Sequence, residues 1–335
     1  KTERQLVVAI MLITGLMSGV LSNTGTAAVL IPVVIGIAAK SGFARSRLLL
    51  PIIFAAAMGG NLSLIGAPGN MIAQAALEER GLSFGFFEYG LVGLPILLAG
   101  ILFIATIGFR LLPSHKVAET SADDPGLAAA SVPQWKKNAS LIVLVLTILA
   151  MVFEKQIGIR LHISGAIGAI ALIVLGVISE EQAYRSIDAK TIFLFGGVLS
   201  LAAAMQKTGA GQVIAETVLS FTGPETPMFV FLLVIFLLAV VMTNFMSNTA
   251  TTALLVPISL SISAQIGADP RAVLMATVIG GTLAYATPIG MPANVMVLGP
   301  GRYTFNDYAR AGLPLILVST VVAMILLPIL FPFFP

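Results

Sequence analysis

The chain contains no cysteine, few charged residues and only two histidines. The absence of cysteine among its 335 residues excludes disulfide bonds and thiolate chemistry. His115 and His162 are too few and too far apart in the sequence to form a zinc site. Charged residues account for 10% of the chain, whereas soluble domains contain about 25%. With 58% hydrophobic residues and a mean hydropathy of +1.02, the sequence predicts a protein that is embedded in lipid.

Charges of either sign lie in short segments between long uncharged stretches. The net charge of +3 comes from scattered basic residues, whereas nucleic-acid binding needs a clustered basic surface, so we predict no nucleic-acid partner. No Asp, Glu, Lys or Arg lies deep inside an uncharged stretch, although carriers driven by protons usually place a titratable group there. The uncharged stretches also offer no nucleophile–base pair and no metal cluster, so we predict that the chain is not an enzyme.

Five uncharged stretches fit single membrane spans, which need about 20 apolar residues each, or fewer where the flanking charged side chains snorkel. We predict two closing helices at 89–112 and 308–333, and three scaffold spans within 138–206, at 138–153, 161–179 and 191–206. The polar segment 113–137 carries Asp123-Asp124-Pro125-Gly126 and is predicted to be a flexible cytoplasmic linker.

Two stretches are too long for one helix and have a polar turn at their centre. Residues 5–39 contain Ser22-Asn23-Thr24, and residues 226–268 contain Ser247-Asn248-Thr249. We predict that each stretch is a re-entrant helical hairpin. The stretches that follow, 48–77 and 271–299, are interrupted by Gly and Pro and are predicted to be broken helices. Such irregular backbone is tolerated at membrane depth only inside protein or beside a water-filled cavity.

Three sequence blocks occur twice in the same order, which indicates an internal repeat. SNTGTAAVLIP from Ser22 aligns with SNTATTALLVP from Ser247, IGAPGN from Ile65 aligns with IGMPAN from Ile289, and Glu88-Tyr89 aligns with Asp307-Tyr308. We therefore predict a first repeat at 1–112 and a second repeat at 207–335. Each repeat would contain a hairpin, a broken helix and a closing helix.

The number of crossings between the two hairpins predicts their relative orientation. A re-entrant hairpin returns to its own side, and five predicted crossings separate the two hairpins, so the second repeat should be inverted, as in many secondary carriers. With Lys1 on the cytoplasmic side, 13 of the 18 basic residues fall in cytoplasmic loops, in agreement with the positive-inside rule. Three ordinary spans precede the second repeat and none precedes the first, so the symmetry also predicts about three further spans upstream of Lys1.

The two Ser-Asn-Thr turns have chemistry that suits ions. Ser, Thr and Asn are favoured helix N-caps, and the first turn of a helix offers unpaired N–H groups to an anion. The helix that ends at the same turn presents carbonyl oxygens, which suit a hard cation such as Na⁺, and the broken helices add carbonyls near Gly66 and Gly290. The turns therefore predict coupling to Na⁺ through neutral oxygens. Interhelical hydrogen bonding is the alternative interpretation of the same residues.

Other recurrent residues have a structural interpretation. Gly15 and Gly19 form a G-x-x-x-G pattern, which is typical of close helix packing. Pro32 and Pro257 are interpreted as helix kinks. Tyr89 and Tyr308 are interpreted as anchors at the membrane interface.

At these motifs the chain resembles the divalent anion/sodium symporter family, which carries dicarboxylates, citrate and sulfate and belongs to the ion-transporter superfamily. The resemblance covers residues 5–335, with the family's opening helices absent, and the paired Ser-Asn-Thr motifs are its specific mark. It implies an all-α polytopic protein of the inner (cytoplasmic) membrane, with inverted repeats that move as an elevator. It further implies a homodimer that carries a small divalent anion by Na⁺-coupled symport.

The resemblance also implies a set of site residues. The first Na⁺ site would comprise Ser18, Ser22, Asn23 and Gly66, and the second would comprise Thr243, Ser247, Asn248 and Gly290. The substrate would contact Asn23, Thr24, Asn248 and Thr249, together with Ala67, Pro68, Met291 and Pro292 of the two Gly-x-Pro-x-Asn strings.

These strings depart from the family pattern. A hydroxyl residue often precedes the first proline of the string, where this chain has Ala67 and Met291, and a second proline is often found where it has Gly69 and Ala293. With fewer hydroxyl groups around the substrate, the strings argue against a standard four-carbon dicarboxylate and leave a smaller or less polar anion, or a sulfur oxyanion, as open alternatives. An antiporter or a metalloid-anion exporter of the same superfamily is the alternative function.

Overall fold

The computed structural model describes residues 2–115, 132–187, 189–210, 213, 216–217 and 228–334. All regular secondary structure in these residues is helical, which confirms the predicted all-α class. Four of the described helices are long and apolar enough to cross a membrane: Asn23–Ser41, Gln134–Val152, Asn248–Ile266 and Phe305–Leu330. Together with several shorter apolar helices, they make the chain a multi-pass integral membrane protein.

The chain forms two compact units. The larger unit comprises Lys1–Glu119 and Leu194–Pro335, and the smaller unit comprises Thr120–Phe193. The helix Ala189–Thr208 spans the boundary between them in sequence.

In the smaller unit, Gln134–Val152 packs against Leu161–Val174. Their contact is close because Gly168 faces the side chain of Thr147, and a Cβ on this glycine would lie 2.2 Å from Thr147 Oγ1. Its described residues also form two short helices, Glu154–Ile157 and Glu180–Arg185. The predicted linker 113–137 lies mostly outside the described residues, and its last four residues already belong to Gln134–Val152.

The larger unit contains both hairpins. The first hairpin consists of Glu3–Ser18 and Asn23–Ser41, and the second hairpin consists of Met228–Phe245 and Asn248–Ile266. In each hairpin the second helix starts where a serine side chain caps it: Ser22 Oγ accepts a hydrogen bond from the Gly25 N–H at 3.1 Å, and Ser247 Oγ accepts one from the Ala250 N–H at 3.2 Å. Serine capping therefore places the helix start within the Ser-Asn-Thr triplet, at the asparagine.

A broken helix follows each hairpin. The first broken helix consists of Arg45–Gly59 and Pro68–Glu78, and the second consists of Pro270–Gly281 and Pro292–Gly301. Proline is the first residue of the second half in both, a position where its missing N–H and restricted φ are compatible with a helix start. The interruption between the halves covers residues 60–67 in the first and residues 282–291 in the second.

Each repeat ends in a closing helix. The first closing helix is Gly90–Ala105, followed by the 3₁₀ turn Gly108–Arg110, and the second is Phe305–Leu330. The two closing helices pack against each other. Gly100 of the first lies mainly against the Met58 side chain of the broken helix, since a Cβ there would lie 2.9 Å from Met58 Cε and 3.3 Å from Leu315 Cδ1.

Gly15 and Gly19 pack closely against other parts of the first repeat, as predicted. A Cβ on Gly59 would lie 2.2 Å from the carbonyl oxygen of Gly15, and a Cβ on Gly19 would lie 2.9 Å from Leu62 Cβ. The first helix of the first hairpin and the first broken helix therefore touch backbone to backbone.

The interpretation of Tyr89 and Tyr308 as interface anchors is wrong, because both side chains are fully buried. Tyr89 OH donates to the carbonyl oxygen of Asn70 at 3.1 Å, and Tyr308 OH donates to that of Asn294 at 2.6 Å. Each tyrosine thus ties the closing helix, at its N-terminal end, to the second half of the broken helix of the same repeat.

Candidate functional site

The first Ser-Asn-Thr turn lies against the interruption of the first broken helix and gathers oxygen atoms around Asn23. Ser18 is fully buried, and its Oγ lies 2.8 Å from Asn23 Oδ1 and 2.7 Å from the carbonyl oxygen of Ala56. If the Asn23 amide were turned by 180°, its nitrogen would lie 3.2 Å from Gly66 O and 3.0 Å from Ala56 O. In its present orientation, Asn23 Oδ1 therefore faces three other oxygen atoms.

The second Ser-Asn-Thr turn repeats the contacts among hydroxyl, amide and helix-end carbonyl. Thr243 is fully buried, and its Oγ1 lies 2.8 Å from Asn248 Oδ1 and 2.5 Å from the carbonyl oxygen of Gly281. A hydroxyl group has one proton, so Thr243 can donate to only one of these two oxygens, and the same holds for Ser18. Each turn thus contains an oxygen–oxygen contact that no protein proton bridges when the amide oxygen faces inward.

The repulsion between unbridged oxygens in such a cluster can be relieved in two ways. The amide can turn so that its nitrogen donates to the surrounding oxygens, or a cation can lie among them. Hard cations are bound by carbonyl, amide and carboxylate oxygens, and the two clusters offer hydroxyl, amide and carbonyl oxygens alone. The donor set therefore fits Na⁺. Among the residues that the structure describes, no group of His, Asp or Glu could hold a metal of another class.

Two asparagines that the sequence interpretation left without a role hold the interruptions in shape. Asn70 Nδ2 donates to Gly60 O at 3.0 Å and to Ser63 O at 2.7 Å. Asn294 Nδ2 donates to Ala284 O and to Thr287 O, both at 2.8 Å. The recurrence of this asparagine in both Gly-x-Pro-x-Asn strings was the signal that could have identified it.

These hydrogen bonds agree with the alignment of IGAPGN from Ile65 with IGMPAN from Ile289. Gly60 and Ala284 occupy equivalent positions because the equivalent asparagines bind them. The Gly280-Gly281 pair consequently lies about one helical turn before the structural counterpart of Gly59-Gly60. The second broken helix stops earlier, and its interruption is longer.

The hairpin of each repeat contacts the broken helix of the other. Asn23 Nδ2 lies 3.8 Å from the thioether sulfur of Met291, and a Cβ on Gly69 would lie 2.7 Å from Thr252 Oγ1. The helix Asn23–Ser41 packs along Pro292–Gly301, and Asn248–Ile266 packs along Pro68–Glu78. As a result, the second helix of each hairpin begins next to the point where the second half of the other repeat's broken helix begins.

Two of these helix starts have apolar N-caps. Ala67 and Met291 have nearly the same backbone conformation, with φ and ψ of −138° and 142° and of −145° and 140°, and neither helix start has a side-chain hydrogen bond to its first turn. Both residues are buried. Each of these helices begins with a proline, which has no N–H, and the N–H groups of Asn70 and Asn294 already donate to Ala67 O and Met291 O. The positive end of the helix dipole and the remaining first-turn N–H groups favour an anion at these positions.

The predicted site residues are distributed as follows. Ser18, Asn23 and Gly66 meet at the first oxygen cluster, Thr243 and Asn248 meet at the second, and a Cβ on Gly290 would lie 2.6 Å from Thr243 O. Ser22 and Ser247 are exposed, and their hydroxyls cap the hairpin helices. The remaining residues lie at the helix starts beside the clusters: Thr24, Thr249 and Pro68, which are half-buried, and Pro292, which is exposed.

Comparisons with known proteins agree with this architecture. A family model described as the citrate transporter, CitMHS, matches residues 1–280. An uncharacterized transporter of Methanocaldococcus jannaschii is 27% identical over 310 residues, which cover 90% of this chain and 68% of that protein. The sodium-dependent dicarboxylate transporter SdcS of Staphylococcus saprophyticus is 23% identical over 363 residues, which cover 98% of this chain and 69% of that protein.

A solved structure shares the fold. The crystal structure of the Alcanivorax borkumensis YdaH transporter superposes with a TM-score of 0.69 at 19% sequence identity, and the match covers 99% of this chain and 80% of that chain. Together with the family match, it confirms the superfamily resemblance that the Ser-Asn-Thr motifs predict.

Proposed function

The chain belongs to the citrate transporter family, and on that basis we propose that it is a secondary transporter that carries a small divalent anion by Na⁺-coupled symport. The anion would belong to the dicarboxylate, citrate or sulfate class. The observation that carries Na⁺ coupling is the pair of oxygen clusters around Asn23 and Asn248. The sodium dependence of SdcS supports the same coupling.

Na⁺ would bind with Asn23 Oδ1, Ser18 Oγ and nearby carbonyl oxygens at one cluster, and with the equivalent oxygens of Asn248 and Thr243 at the other. The positive charge would offset the repulsion between oxygens that no proton bridges. Neutral ligands suit a monovalent cation, because a carboxylate buried at the same place would need its own compensation when the ion leaves.

Binding of Na⁺ would also prepare the site for the anion. A cation among the oxygens selects the amide orientation in which Oδ1 points inward, and this orientation turns Nδ2 outward as a donor. The amides of Asn23 and Asn248 would thereby link the two ligands, since each presents an acceptor to Na⁺ and a donor to the anion. Uncapped helix starts at Ala67 and Met291 supply further N–H groups for the anion.

The inverted repeat and the elevator motion belong to the same proposal. The repeated hydrogen bonds of Ser18 and Thr243, and of Asn70 and Asn294, support two equivalent structural halves. The contact between Asn23 and Met291 ties the halves together, as expected if hairpins and broken helices move as one body. A homodimer follows from the family resemblance.

Counterflow in proteoliposomes tests this function directly. Labelled succinate, citrate and sulfate are offered to the purified protein with and without Na⁺, and at least one should show Na⁺-stimulated flux. Asn23→Ala and Asn248→Ala should abolish the Na⁺-dependent part, whereas Asn138→Ala, at an exposed position in Gln134–Val152, should retain it. Flux that follows a pH gradient and ignores Na⁺ would contradict the proposal. Exchange that runs without Na⁺ would instead favour the antiporter.

A further inference from the structure

Ala67 and Met291 occupy equivalent backbone positions but differ greatly in side-chain length. Both are N-caps, where Ser, Thr, Asn and Asp are the favoured residues and Ala is among the poorest. An oxygen-bearing side chain at either position could hydrogen-bond a substrate hydroxyl or carboxylate, and an alanine or a methionine cannot do so with comparable strength. The departure from the usual cap therefore has a chemical consequence inside the candidate site.

The Met291 side chain reaches across to the other repeat. It is only 3% exposed, and its sulfur lies 3.8 Å from Asn23 Nδ2. A thioether is a weak hydrogen-bond acceptor, so it places a largely apolar surface beside the Asn23 amide, which keeps a second N–H for the substrate. Ala67 has no atoms beyond Cβ, so it cannot make the equivalent contact.

The hydroxyl group beside the first helix start is already engaged. Thr252 is 1% exposed, its Oγ1 donates to Asn248 O at 3.0 Å, and it lies against Gly69. This contact also explains Gly69, because a side chain there would collide with the threonine hydroxyl. Because the Thr252 hydroxyl proton is already donated to the backbone, this side chain cannot also donate a hydrogen bond to a substrate hydroxyl.

From this arrangement we propose that Met291 makes the site selective for unsubstituted dicarboxylates and against hydroxylated or branched acids such as malate and citrate. The inference rests on the proposed function, since it concerns the anion bound between the two asparagines. Carboxylates would be held by amides and helix starts, while the carbon chain between them passes Met291. A hydroxyl or a third carboxylate on that chain would lose its hydrogen bonds to water and would lie against the thioether, which cannot replace them.

The expected selectivity is moderate. Apolar pockets reject a substrate with one added hydroxyl by a factor on the order of 10², so L-malate should bind at least about tenfold more weakly than succinate. Citrate, with a hydroxyl and an additional carboxylate, should bind more weakly still.

Competition against labelled succinate uptake measures this directly, with unlabelled succinate, L-malate and citrate as competitors in the presence of Na⁺. Met291→Ser should reduce the ratio of the malate to the succinate half-inhibitory concentration by about tenfold, because a hydroxyl replaces the thioether. Met291→Leu should keep the wild-type ratio, since leucine conserves apolar character and approximate volume. Ala67→Ser adds the same hydroxyl without removing the thioether and should change the ratio less than Met291→Ser.

Two outcomes would overturn the proposal: equal competition by malate and succinate in the wild type, or an unchanged ratio in Met291→Ser. If succinate uptake is nevertheless stimulated by Na⁺, the proposed function stands and only the role of Met291 is wrong. If no succinate enters, Na⁺-dependent thermal stabilisation of the same sample shows whether the oxygen clusters bind Na⁺, and the role of Met291 in a dicarboxylate site is rejected.

Discussion

The side-chain amide of Asn61 donates a hydrogen bond of 2.6 Å to the hydroxyl of Thr282 across 221 positions of sequence. Asn61 lies in the first interruption and Thr282 in the second, and both are buried. Thr282 Oγ1 in turn donates to Ile279 O at 2.7 Å. This hydrogen bond links the two irregular segments beside the candidate site directly, and its contribution to stability can be measured.

Thr282→Val should destabilise the protein because it leaves the Asn61 amide buried without this acceptor. A buried group deprived of its partner costs about 1–3 kcal/mol, so the unfolding temperature in detergent should fall. The double variant Thr282→Val with Asn61→Ala should lose less unfolding free energy than the sum of the losses in the two single variants. Fully additive losses would show that the two side chains contribute independently.

Gly59→Ala and Gly36→Ala form a matched pair of glycine substitutions within helices. A Cβ at Gly59 would lie 2.2 Å from Gly15 O, whereas one at Gly36 meets no atom within 4 Å. We expect Gly59→Ala to destabilise by roughly 1–3 kcal/mol through overpacking. Gly36→Ala should be stabilising by up to about 1 kcal/mol through helix propensity. Similar unfolding temperatures for the two variants would contradict the backbone contact.

Tyr308→Phe tests the buried hydrogen bond to Asn294. The substitution keeps the ring, which packs 5.6 Å from that of Tyr303 between centroids, and removes only the hydroxyl. We expect a loss of about 0.5–1.5 kcal/mol, the usual net value of such a bond. Tyr184→Phe, at an exposed position, is the control. An effect no larger than that of the control would argue against a structural role for the Tyr308 hydroxyl.

Arg271→Gln should weaken the connection between the two repeats. Arg271 pairs with Glu88 of the first repeat and lies 5.5 Å from the ring centre of Phe84. The two side chains are 31% and 22% exposed, so the cost should lie between the about 0–1 kcal/mol of surface pairs and the about 3–5 kcal/mol of buried ones. Arg185→Gln, whose pair with Glu181 is 80% and 74% exposed, should change the unfolding temperature little.

Ser18→Ala and Thr243→Val each remove one hydroxyl oxygen from an oxygen cluster. If these clusters bind Na⁺, each variant should require at least tenfold more Na⁺ for half-maximal uptake. Mutation of residues that only hydrogen-bond to a metal's ligands already weakens metal binding by about 10–100-fold. Ser261→Ala removes a hydroxyl that bonds only within its own helix, to Pro257 O at 3.0 Å, and serves as the control. An unchanged Na⁺ requirement in both site variants would place the ion elsewhere.

Local chemistry made several features of this protein predictable. Low charge and long apolar stretches determine an all-helical membrane protein, because lipid cannot satisfy backbone groups outside helices or closed barrels. Ser22 and Ser247 determine where the hairpin helices restart, since a serine cap acts on an N–H only three residues away. Gly15 is also correctly interpreted, because close helix packing has a short-range pattern.

Other features were decided only by tertiary structure. Asn23 also contacts Met291, 268 positions away, and no local pattern links the two residues. Tyr89 has an amphipathic side chain that suits either the membrane interface or a buried hydrogen bond, and only its packing against the broken helix selects the second. The sequence by itself determined the helices and their caps, and it predicts the repeat. Which oxygen, sulfur and amide atoms meet between the repeats depended on how the helices pack, because those contacts form between segments that are distant in the chain.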